Sequence, residues 1–201
     1  MPRRVQISPE LKSALKELSP AEKDKLILRL LPKNAPLIAK LEYELLASGS
    51  LEERRDKVGE EIERRMADAV SSFYSPGYLL LDLRAVSGDI NRHVKTTRDK
   101  AGEVELNLLM LTESLPKLTK QISGFSAGRS RTLNNYVIAR AAKILKLLDK
   151  FHPDVRLDYA SDLRTLGRAI GDVDAMMRTA IHEGFDVNWL LRGEWPADRG
   201  V

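Results

Sequence analysis

The chain has 201 residues, of which 43% are hydrophobic, 31% charged and only 5% aromatic, with no cysteine and a net charge of +4. The apolar share suffices for a core at this length, while the missing cysteine excludes disulfides, thiolate metal sites and a cysteine nucleophile and suits a reducing compartment. Abundant Leu, Ala, Glu, Lys and Arg with few β-branched or aromatic residues favours helices over strands, and no run alternates at period two.

Ser8-Pro9-Glu10 opens the first predicted helix, with serine as N-cap and proline in the first turn. Leu11, Ala14, Leu15 and Leu18 then share one face. Ser19-Pro20-Ala21-Glu22 has capping-box spacing and starts a second helix expected to bury Leu26, Ile27, Leu30 and Leu31 before Pro32 stops it. A third follows Asn34-Ala35-Pro36, presents Leu37, Ile38, Leu41, Leu45 and Leu46, and ends at Gly49. Ser50-Leu51-Glu52-Glu53 is a second capping box, opening a long helix with Val58, Ile62, Met66, Ala69, Val70 and Phe73 on one stripe.

Tyr74-Ser75-Pro76-Gly77 breaks the pattern. Leu79, Leu83, Val86, Ile90 and Val94 mark the next helix, and Val104, Leu108, Leu111, Leu115, Leu118 and Ile122 continue at heptad spacing. One rod over 78–122 competes with two helices parted near 98–102; Gly102 and Pro116 favour the break, with Pro116 ending or kinking the second helix. Ser123 to Gly128 reads as a hinge, followed by an amphipathic helix from Thr132 to Phe151 with Val137, Ala141, Ile144, Leu145 and Leu148 inward. Helices near 155–171 and 173–183, then a short segment from Val187 to Leu191, complete the set. The fold class is therefore all-α: an irregular multi-helix bundle or a short α-solenoid of stacked helical hairpins. The expected organisation is an N-terminal helical bundle over 1–122, a C-terminal helical segment over 129–192 packed on it as one unit, and a flexible tail over 193–201.

Two resemblances accompany this reading. Leu18-Ser19-Pro20-Ala21-Glu22, Glu103-Val104-Glu105-Leu106 and His152 with Asp154, Asp158 and Tyr159 make the chain similar to a group of short, all-helical bacterial proteins of unassigned function. That likeness implies an all-helical fold and no activity. The run from Ala180 to Glu194, with its Trp189-Leu190-Leu191 and Gly193-Glu194, resembles the last helices of repressor-type helix-turn-helix domains. Upstream, the sequence lacks the two-helix cassette that would carry a recognition helix.

No catalytic, metal or cofactor motif emerges. Asp149 with His152 and Asp89 with His93 are isolated pairs, no Glu stands three residues before a His, and His152 suits the C-terminus of the preceding helix. Gly124 to Gly128 lacks the Lys-Ser/Thr of a phosphate loop, and no serine sits in a Gly-x-Ser-x-Gly elbow. Carboxylate pairs such as Glu52-Glu53 and Glu60-Glu61 alternate with arginines as on a solvated face. Charge placement is more informative: residues 126–151 carry 6 basic side chains against 1 acidic, whereas 152–201 carry 6 against 9. At about 100° per residue, Arg140, Lys143, Lys146 and Lys150 fall within about a third of the helix circumference, with Arg129 and Arg131 preceding them from the loop. That face is either balanced by the acidic C-terminal segment or binds an acidic protein or a phosphate backbone.

The expected function is a non-catalytic helical interaction or scaffold module, binding another protein or itself without cofactor or metal. Nucleic-acid binding through the basic helix 129–150 is the alternative. No apolar run approaches the ~20 residues of a membrane span, and no apolar signal core follows Met1 to Val5, so the cytoplasm is the expected location.

Overall fold

The computed structural model describes residues 7–45 and 49–192. Every regular element among them is helical. The chain divides into two units, 1–48 and 49–201.

In the first unit, α1 (Pro9–Glu17), α2 (Pro20–Leu30) and α3 (Ala35–Leu45) are short, with a 3-10 turn at Leu31–Lys33 between the last two. Ser8 caps α1, and Ser19 with Glu22 forms the reciprocal capping box that its spacing foretells. The packing differs from expectation. None of the residues whose burial is described in α1 to α3 is fully buried; Leu15, Leu18, Leu26, Leu31, Ile38 and Leu41 are covered in large part. Ile27 and Leu30, expected inside, are each 50% exposed. Leu46 and the tail at 193–201 lie outside the described residues.

The second unit holds the core. It contains α4 (Leu51–Ser71), α5 (Pro76–Thr97), α6 (Lys100–Ser123), α7 (Ala127–Leu148), α8 (Pro153–Leu157), α9 (Ala160–Gly171), α10 (Asp174–His182) and α11 (Asn188–Arg192). The centre is α6, which packs against α4, α5, α7 and α9. Its whole heptad stripe, Val104, Leu108, Leu111, Leu115, Leu118 and Ile122, is buried, and so are Leu106, Asn107, Met110 and Ser114 on its other sides. A helix enclosed by four neighbours needs apolar or hydrogen-bonded residues around most of its circumference. The stripe at heptad spacing is only one of its buried faces.

The break between α5 and α6 falls where the sequence places it. Arg98 takes a left-handed conformation (φ 60°) as the C-cap of α5, and Asp99 becomes the N-cap of α6 by accepting the Gly102 N–H at 2.8 Å. A side chain at Gly102 would strike the Asp99 carboxylate, so the close approach of that cap requires glycine. Pro116 does not end the helix: α6 runs through it for seven more residues, with the ring on an exposed face. Leu115, Leu118 and Ile122, all at most 1% exposed, hold the final turns in place despite the lost hydrogen bond.

Further corrections follow along the chain. The hinge shrinks to Gly124–Ser126, because α7 begins at Ala127, five residues before the expected start. The boundary expected between 122 and 129 lies inside the second unit, where α6 and α7 pack together. The helix expected over 155–171 is two, α8 and α9, parted at Asp158 and Tyr159. His152 is the N-cap of α8, its ring accepting from the Asp154 N–H at 3.4 Å, and does not close the end of α7. Gly167 brings α11 close to α9: a side chain there would meet Leu190 Cβ at 2.9 Å. No helix among the described residues is long and apolar enough to cross a membrane.

Candidate functional site

The basic residues of α7 do not form one continuous free face. Because the helix starts early, Arg129 and Arg131 sit in its first turns and not in a loop. Arg129 stacks its guanidinium 5.3 Å from the centre of the Phe125 ring. Arg131 is exposed and lines a cleft toward α10. Arg140 turns inward: it donates to Asn107 Oδ1 at 3.1 Å and to Tyr136 Oη at 3.2 Å, with its guanidinium 5.2 Å from the centre of the Tyr136 ring. Lys143 reaches Glu103 of α6 at 2.6 Å, where the Glu103 side chain is only 15% exposed. Lys146 and Lys150 remain exposed, without an ion pair among the described residues.

Arg140 belongs to a polar network that joins α5, α6 and α7. The Tyr136 hydroxyl donates to the Leu83 carbonyl at 3.1 Å while meeting Arg140 and the buried Ser87 hydroxyl. Asn107, fully buried, uses its amide nitrogen on the Glu103 carbonyl and its oxygen on Arg140. Buried polar groups satisfied in this way fix the relative register of their helices. Arg140 and Lys143 thus hold α7 to α6, a role their position on the helical wheel does not announce.

A second network lies at the α4–α6 junction. Arg55 forms a bidentate pair with Asp99 (2.9 and 3.0 Å) and a third contact to Glu105 at 3.0 Å. His93 Nε2 stands 3.5 Å from Asp99 Oδ2. Burial raises the Tyr159 hydroxyl above its ordinary value, and the nearby Glu105 carboxylate adds to the effect. Asp89, the sequence neighbour of His93, pairs instead with Arg65 and Arg92. The described residues include no cluster of three or more potential metal ligands. Alongside this junction runs a groove of about 440 Å³ between α4 and α6, in which Glu60, Glu63, Glu105 and Glu113 outnumber Arg55.

The other conspicuous surface is in the first unit. Leu11 of α1 is 52% exposed, Leu28 of α2 is 67% exposed and Leu45 of α3 is 75% exposed. Ile27, Leu30 and Leu37 join them. Single exposed leucines are ordinary, but six large apolar side chains on three short consecutive helices exceed what scattered surface residues require.

Helical packing with these surfaces defines an all-α multi-helix bundle. No family model matches the chain, and neither curated proteins nor solved structures yielded a match.

Proposed function

We propose that the chain is a non-catalytic helical interaction module, and that α1, α2 and α3 dock on another protein through their apolar side chains. The observation that carries this reading is the absence of any fully buried residue, among those described, in three amphipathic helices that expose Leu11, Ile27, Leu28, Leu30, Leu37 and Leu45. Helices of 9 to 11 residues hold their conformation poorly without tertiary burial. An amphipathic helix laid into an apolar groove of a partner would supply that burial. The full chain, used as bait in its native lysate with and without nuclease, is expected to retain the same partner protein in both cases. Leu28→Glu with Leu37→Glu should release that partner while leaving the melting temperature within a few degrees. A partner retained by the double variant would defeat the reading, as would a partner lost on nuclease treatment.

Nucleic-acid binding through Arg129, Arg131, Arg140, Lys143, Lys146 and Lys150 has weaker support. With Arg140 and Lys143 engaged by α6 and Tyr136, the exposed cations fall at opposite ends of α7. Arg131 and Lys146 are separated by about 22 Å along the axis at ~1.5 Å per residue.

A further inference from the structure

Tyr74, Tyr78 and Leu81 are 74%, 61% and 60% exposed and stand together at the start of α5. The two tyrosine rings meet edge to face at 5.5 Å, so both present an apolar surface to solvent. Exposed rings on a rigid element are the usual anchors of protein contacts. Ala85 and Gly88, one and two turns beyond Leu81, are exposed as well. At about 100° per residue, Tyr78, Leu81, Ala85 and Gly88 fall within about 80° of the helix circumference, at heptad spacing. Gly88 has no explanation within the protomer: glycine weakens a helix interior, and a Cβ there would meet no atom within 4 Å. The side chains at a helix contact set the distance between the axes, so Ala85 and Gly88 suit a second helix laid close along this face.

The charges beside this stripe identify its occupant. Asp82 and Arg84 are exposed, and neither has an ion pair among the described residues. They lie about 80° to either side of the middle of the stripe and about 3 Å apart along the axis. An apolar stripe flanked by one charge of each sign is complementary to itself. When two copies of α5 run parallel about a twofold axis, the flank of one that carries Arg84 faces the flank of the other that carries Asp82, and the pair forms twice. Run antiparallel, the helices would set Asp82 against Asp82 and Arg84 against Arg84, which repel. Arg92 closes the stripe one turn beyond Gly88, its charge met by Asp89 of the same chain at 3.1 Å.

We infer that α5 pairs with α5 of a second copy of this chain in a parallel homodimer. Tyr78, Leu81, Ala85 and Gly88 form the seam, and Arg84 bridges to Asp82 of the other copy. This surface belongs to the second unit and is independent of the docking surface on α1, α2 and α3. A seam this short belongs to the weak end of specific interfaces, so sedimentation equilibrium on the full chain is read from about 10 µM to about 1 mM. The native chain should follow a monomer–dimer equilibrium, and Leu28→Glu with Leu37→Glu should leave it unchanged. Leu81→Glu and Gly88→Gln should each weaken the dimer by about tenfold or more. Both positions face solvent in the monomer, so the melting temperature at low concentration should stay within a few degrees. Arg84→Glu should weaken the dimer by about tenfold at low ionic strength, and adding Asp82→Arg should restore it by exchanging the pair. In an antiparallel pair Arg84→Glu would replace one like-charge contact by another and leave affinity level. A chain that stays monomeric throughout the range would overturn the dimer. So would a dimer lost in Leu28→Glu with Leu37→Glu, or one indifferent to Leu81→Glu and Gly88→Gln. A dimer indifferent to Arg84→Glu would overturn the parallel arrangement.

Discussion

Asp99 shows how much one side chain carries in this fold. It is 3% exposed, caps α6 through the Gly102 N–H and receives both arms of Arg55. Burial would raise its carboxyl, but hydrogen bonds from Arg55 and Gly102 and the arginine's charge outweigh it, and the pKa lies below the ordinary 3.8. A carboxyl with a lower pKa folded than unfolded adds stability that is fully present above the unfolded value and is lost as the pH falls through the folded one. Asp99→Asn should therefore cost about 3 kcal/mol at neutral pH, since it leaves Arg55 without its main partner. The gap from the native chain should narrow steadily below about pH 4, as the native carboxyl also becomes protonated. Urea melts of both chains at pH 7, 4 and 3 measure this; a gap that stays constant with pH would mean that the charge of Asp99 contributes nothing. The sequence shows the break, because the stretch from Asp99 to Gly102 interrupts a helical pattern locally, but not that Asp99 caps the next helix. The partner was out of view: Arg55 stands 44 positions away, on a helix whose arginines all read alike as solvated.

At the scale of the element, α6 and α7 differ in how much of them the sequence discloses. The residues of the α6 stripe are readable because apolar spacing along one helix is local information. That Leu106, Asn107, Met110 and Ser114 are buried as well is not, because it depends on which four helices surround α6. Leu111 is fully buried, so Leu111→Asp should abolish the cooperative thermal transition by leaving an unpaired charge in the core; a folded variant would place this face outside. Pro116 offers the opposite experiment. The helix continues through it, and its ring is exposed, so Pro116→Ala restores a backbone donor without disturbing the core. A gain of about 1–3 kcal/mol is expected in chemical denaturation. No gain would show that the surrounding turns have already absorbed the proline. On α7 the wheel reads charge correctly but cannot tell a cation in solvent from one engaged by a neighbour. Lys143 and Lys146 differ only in that Glu103 of α6 lies opposite the first.

For the whole molecule, the two units rest on different foundations. Every described core residue belongs to the second unit, from Ile62 to Leu190, where α4, α5, α6, α7, α9, α10 and α11 pack on one another. The first unit has sound local signals, the Ser8 cap and the Ser19–Glu22 box among them, yet capping contributes only about 1 kcal/mol per site. That cannot replace a core for helices of 9 to 11 residues when isolated helices below ~12–15 residues are marginal in water. A chain beginning at Gly49, which keeps the Ser50–Glu53 capping box of α4, should therefore melt as cooperatively as the full chain and within a few degrees of it. The peptide 1–48 should show little helix by circular dichroism on its own and gain helix when a docking partner covers its leucines. A large fall in the melting temperature of the shortened chain would mean that the first unit stabilises the second, and its apolar side chains would then serve the fold and not a partner. Equal stability of the two chains, with helix in 1–48 appearing only on binding, would assign those side chains to recognition.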